Sequence, residues 1–121
     1  KRVQVWVQDL KQPWPKQDPY FLEAPWRDAT ILDPPSTWGD ALANPEILRQ
    51  TEGFDPKTGR PKQWPMRLAK AHWAILHEGL PAGQYMLRCR TIDENGAAQP
   101  MPRPFRKSGH AAIESRRIVV E

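Results

Sequence analysis

The chain opens on strict alternation. Val3, Val5 and Val7 fall between Gln4, Trp6 and Gln8, the period-two pattern of a strand with one apolar and one mixed face. Residues 1–9 are therefore predicted as a strand. The same period returns at 83–92, where Tyr85, Leu87 and Cys89 alternate with Met86, Arg88 and Arg90. Pro81 and Gly83 mark the entry to that strand. Asp93, Asn95 and Gly96 supply hairpin-turn chemistry after it. Residues 26–32 and 112–120 predict two further strands. Asn44 and Pro45 read as the N-cap and first residue of a short helix over 44–50. Residues 54–65 form a turn-rich excursion with Lys57 to Gly59 at its tip. Residues 66–77 carry two patterns at once. Leu68, Ala71, His72 and Ile75 have helical spacing, whereas Ala71, Trp73 and Ile75 alternate as in a strand. The Leu-Pro-x-Gly-x-Tyr corner that follows favours a strand arriving from an opposite sheet.

These elements predict a mainly β fold: an immunoglobulin-like (E-set) β-sandwich with long proline-rich loops and one short helical insertion. A single domain is expected over residues 1–121, with an insertion at about 35–65. A strand that starts almost at Lys1 suggests a piece of a longer chain. Composition sharpens this picture. Fourteen prolines and a hydrophobic content of 39% argue for short strands and stiff loops. Six tryptophans then supply much of the apolar area, each able to bury on the order of 200 Å².

Charge adds a weaker constraint. The net charge is +4, with both signs spread along the chain, which permits an anionic partner without requiring one. The densest basic run is Arg103, Arg106, Lys107, His110, Arg116 and Arg117. It reads either as a solvated loop and strand edge or as an anion site or rim facing a partner. Trp6 falls on the glutamine face of its strand, so it reads either as an exposed interface residue or as a side chain packed under the proline-rich loop. The tryptophans are dispersed, so no nucleic-acid partner is predicted. No apolar run approaches 18 residues, and no membrane partner is predicted. His72, His77 and His110 lack a metal-ligand spacing, and Cys89 alternates inward with Tyr85 and Leu87 as a small hydrophobe. No catalytic residue and no metal site are predicted.

The segment Gly83 to Gly109 resembles the C-terminal domain of the sulfite oxidase family of molybdopterin-dependent oxidoreductases. The family's late strand reads roughly G-x-Y-x-L-x-x-R-A-x-D-x-x-G-x-x-Q-P. This chain has Gly83, Tyr85, Leu87, Arg90, Asp93, Gly96, Gln99 and Pro100, with Thr91 in place of the alanine. Arg2-Val3-Gln4-Val5-Trp6 resembles an R-V-E-V-S strand, and Trp26-Arg27-Asp28-Ala29 a W-x-x-A segment. Arg116-Arg117-Ile118 stands where the family has His-Arg-Val. The resemblance implies a structural and dimerisation domain without a catalytic centre of its own. It implies no cofactor on this chain, with molybdopterin and molybdenum held by a separate preceding domain. It also implies a homodimer, a cytochrome electron acceptor for the parent enzyme, and a periplasmic location if the source is bacterial. Arg117 matches an arginine that reaches toward the substrate oxyanion in some members, with Arg116 beside it. Trp6, Arg106 and Lys107 are the interface candidates. A free-standing immunoglobulin-like module that binds a protein or polyanion is the alternative.

Overall fold

The structure, a computed structural model, describes residues 1–36, 42, 44, 46–66, 70–99 and 112–121. The elements in chain order are β1 (Arg2–Asp9), β2 (Arg27–Ile31), α1 (Glu46–Arg49), β3 (Trp73–Ala74), β4 (Gly83–Ile92) and β5 (Glu114–Val120). The fold is mainly β. The described strands make one antiparallel sheet of five in the order β3-β2-β1-β4-β5. The chain divides into two compact units, Lys1–Thr30 with Ala74–Glu121, and Ile31–Trp73.

The first unit is organised by the long pairing of β1 with β4, in which Gln4 opposes Arg90, Val5 opposes Cys89, Trp6 opposes Arg88 and Val7 opposes Leu87. Because side chains alternate across a strand, this register sorts them onto two faces. Gln4, Trp6, Gln8, Met86, Arg88 and Arg90 share one. Val3, Val5, Val7, Tyr85, Leu87 and Cys89 share the other. β5 extends the sheet beyond β4, with Arg117 opposite Met86 and Arg116 opposite Leu87. On the other side, β2 pairs with β1 through Val3 and Ala29.

The second unit holds the turn-rich excursion. Phe54 and Pro61 form an isolated bridge, and Phe54 is buried. The Asp55 carboxylate accepts hydrogen bonds from the Lys57 and Thr58 amides, both at 2.8 Å, and Gly59 takes a positive φ of 69° to close the loop. Arg60 donates to the Pro34 carbonyl at 3.0 Å. Asn44 caps α1 as its sequence suggests, its Oδ1 accepting the Glu46 amide at 3.2 Å.

Between 66 and 77 the structure departs from the predicted strand. Of that stretch, 67–69 lie outside the described residues, and only Trp73–Ala74 pairs as a strand. Helical and strand periods compete in its sequence, and among its described residues only these two take up strand pairing.

Candidate functional site

On the glutamine face, Trp6 is only 6% exposed, because the proline-rich loop closes over it. Trp14, Phe21 and Trp26 approach its ring with centroid separations of 4.7, 5.6 and 5.9 Å. The expectation of an exposed interface tryptophan is thus corrected: Trp6 is the centre of an aromatic cluster. A sheet face carrying glutamine and arginine cannot be closed by aliphatics without orphaning polar groups, whereas aromatic rings can cover guanidinium planes.

Two arginines complete this layer. The Arg88 Cζ lies 4.4 Å from the Phe21 ring centre and 5.0 Å from that of Trp6, and the Arg90 Cζ lies 4.3 Å from that of Trp26. Each is met by the glutamine opposite or beside it. Arg88 Nη1 donates to Gln8 Oε1 at 2.6 Å, and Arg90 Nε and Nη2 donate to Gln4 Oε1 at 2.9 and 2.8 Å. Gln8 in turn donates to the Gln12 carbonyl, and Gln4 to Asp28. Burial pushes the pKa of both guanidinium groups down, and for Arg90 the charge of Asp18 pulls back up. The Arg88 Nε is buried with no partner among the described residues.

Asp18 shapes the loop that covers this layer. Its Oδ1 accepts the Leu22 amide at 2.8 Å, and its Oδ2 accepts the Glu23 amide at 3.0 Å and the Trp14 indole at 3.3 Å. Burial alone would raise its pKa, but the bonds from Glu23, Leu22, Trp14 and Tyr20 together lower it below 3.8. Phe21 takes a positive φ of 58°, uncommon for a bulky residue. That conformation faces Phe21 onto Arg88 and leaves Tyr20 and Leu22 exposed.

The valine face is closed to a similar degree. Val5 and Tyr85 are buried, whereas Val3, Val7, Leu87, Cys89, Ile118 and Val120 stay partly open. A cleft of about 190 Å³ lies beside β1, lined by Val5, Trp6, Val7, Pro25, Arg27, Ile75 and His77, and one of about 310 Å³ lies in the loop over the glutamine face, lined by Trp14, Asp18 and Leu22 among others. Burial pushes the Cys89 thiol pKa up, and the nearby Glu114 carboxylate, 3.8 Å from Sγ, adds to the shift. A thiol held protonated this way is a poor nucleophile, in keeping with its reading as a small hydrophobe.

The stretch from Gly83 to Gln99 acts as a structural unit. Tyr85 donates its hydroxyl to the Pro81 carbonyl at 2.8 Å, fixing the corner into β4. A side chain at Gly83 would meet the Tyr85 ring 3.4 Å from its Cβ. After β4, Asp93 Oδ1 accepts the Asn95 and Ala97 amides at 2.8 and 2.9 Å, and Gly96 supplies a φ of 85°. Gln99 then closes the turn. Its amide donates to the Thr91 carbonyl, and its side-chain oxygen accepts the Thr91 amide at 2.8 Å.

Arg116 and Arg117 lie side by side on β5, exposed and on opposite faces of the sheet. Arg117 leans over β4 and donates to the Gln84 side-chain oxygen. Arg106 and Lys107 lie outside the described residues, as do Arg103 and His110. Among the described residues no group of three or more His, Cys, Asp or Glu side chains is placed to hold a metal ion. The arginine–aromatic layer was not anticipated from the sequence. Its signal lay in Trp6 sharing a face with glutamines and in Arg88 and Arg90 sharing a strand face, but their meeting depends on the β1–β4 register. No protein-family model matches the chain, and no curated protein or solved structure matches it.

Proposed function

We propose that these residues form the C-terminal structural and dimerisation domain of a molybdopterin-dependent oxidoreductase similar to sulfite oxidase. The observation that carries this reading is the work done by the motif residues. Tyr85, Arg90, Asp93, Gly96 and Gln99 each support the central strand or its turn. The spacing therefore has a physical reason to be kept as a unit. In this reading the sheet is one layer of an immunoglobulin-like sandwich, and the partly open valine face receives the other layer. The chemistry belongs to a preceding domain that holds molybdenum and its pterin, and this chain binds no cofactor. A homodimer, a cytochrome acceptor and, in a bacterium, a periplasmic location belong to the same reading. Arg117 would face the substrate oxyanion of the parent enzyme, with Arg116 beside it. Metal analysis of the whole purified polypeptide tests the proposal. Close to one molybdenum per chain, with a releasable pterin, supports it; a folded polypeptide that carries neither contradicts it.

A second reading is favoured by the exposed arginines of β5. It makes the chain an immunoglobulin-like module that holds an acidic protein segment or other polyanion. Binding that persists in a polypeptide without molybdenum would support this reading instead.

A further inference from the structure

β5 ends the sheet: its inner side pairs with β4 over Glu114–Val120, and no described strand pairs with its outer side. A seven-residue edge of this kind offers a ladder of backbone donors and acceptors to an incoming strand. Its side chains are graded along the strand. Arg116 and Arg117 are exposed at one part, and Ile118, Val119 and Val120 follow, with Val119 65% exposed. Arg116 has no hydrogen-bond or ion-pair partner among the described residues.

We propose that the outer edge of β5 takes up an extended, acidic strand from a partner protein. In an antiparallel pair the incoming residues oppose those of β5 with Cβ atoms about 5 Å apart, so carboxylates set against Arg116 and Arg117 fall within ion-pair reach. Read from its N-terminus, the partner strand carries apolar or β-branched residues against Val120, Val119 and Ile118, then acidic residues against Arg117 and Arg116. A second copy of the chain is a poor occupant. The antiparallel register that overlaps all of Glu114–Val120 sets position 114 against 120, and hence Arg117 against Arg117. Arg117 thus discourages self-pairing in this register, while both arginines select an acidic strand. This inference stands without the oxidoreductase reading, since it uses only the edge and its charges.

The test is a titration of the ¹⁵N-labelled protein with an acetylated, amidated peptide of sequence TVVEETK, followed by amide chemical shifts. The expected result is saturable binding with a dissociation constant on the order of 100 μM and shifts concentrated at 114–120. The peptide TVVKKTK should bind about tenfold more weakly or not at all. In the doubly reversed variant R116E/R117E the preference should invert, so that TVVKKTK binds and TVVEETK does not. That inversion cannot arise from unfolding. N-methylation of alternate peptide amides should abolish binding with the charges intact, which separates strand pairing from loose ion attraction. Equal affinity for both peptides, insensitivity to N-methylation, concentration-dependent self-association through 114–120, or no saturable shift up to about 1 mM peptide would each overturn the proposal.

Discussion

The two faces of the β1–β4 pair are built from the same backbone and solve burial by opposite means. The glutamine face carries polar and charged groups, yet its own loop buries Trp6 and Gln8 at the centre of that face. Its arginines stack on Trp6, Phe21 and Trp26, its glutamines satisfy the guanidinium groups, and Asp18 holds the loop down. The valine face carries the residues that water should expel first, yet Val3, Val7 and Leu87 remain partly open. Apolar character alone does not close a surface; a covering segment of matching chemistry does. The proline-rich loop provides one, because aromatic rings can face both a tryptophan and a guanidinium.

The largest expected effect separates the two faces directly. Trp6→Ala should lower unfolding free energy by about 4 kcal/mol, because it empties the centre of a closed cluster. Val7→Ala, on the valine face, should cost only about 1 kcal/mol. Urea denaturation of both variants gives the comparison, and similar costs would erase the distinction between the buried Trp6 and the half-buried Val7. Arg88→Met should destabilise by about 2 kcal/mol through lost ring stacking and an unpaired Gln8 oxygen, offset in part by removal of the unpartnered Nε. A neutral outcome would show that the rings seal the face without the guanidinium.

These two positions also show what the sequence could reveal. Alternation fixed β1 and β4 because their valine, tyrosine and leucine positions repeat at period two with no competing helical period. The turn after β4 was legible for the same kind of local reason, since Asp93 and Gly96 act on amides within four residues. The burial of Trp6 was legible only as one of two readings. It depends on a loop of several turns whose aromatic residues return to the sheet only through the Asp18 bonds and the left-handed Phe21. Residues 66–77 were legible only in part, at Trp73–Ala74, as two periods of similar strength overlap there. Of the candidate site residues, Arg116 and Arg117 were visible as charges, but their position on an open edge follows only from the sheet order.

A smaller effect tests the loop that buries Trp6. The Asp18 carboxylate has a lowered pKa, so its contribution to stability is present above its ordinary value near 3.8 and is lost as pH falls through the lower folded value. Urea midpoints recorded from about pH 6 down to about pH 2 should therefore fall on the acid side, and Asp18→Asn should flatten that limb. An unchanged acid limb in the variant would remove Asp18 from the account. The smallest effect lies on the valine face. Cys89 should alkylate slowly with iodoacetamide at mildly alkaline pH, because burial and the Glu114 carboxylate hold the thiol protonated. Glu114→Gln should raise the rate by about threefold. No change would mean that burial alone sets the thiol's behaviour.

Methyl and indole relaxation by a soluble gadolinium chelate tests the central claim most directly. It should be measured on these 121 residues and, on the proposed oxidoreductase reading, on a longer polypeptide that carries them. The account predicts that the methyl groups of Val3, Val7 and Leu87 relax more strongly than the buried Trp6 indole in the isolated chain and become protected in the longer polypeptide, whereas the Trp6 indole is protected in both. Valine-face methyl groups equally exposed in both samples would contradict the claim that this face receives a second layer.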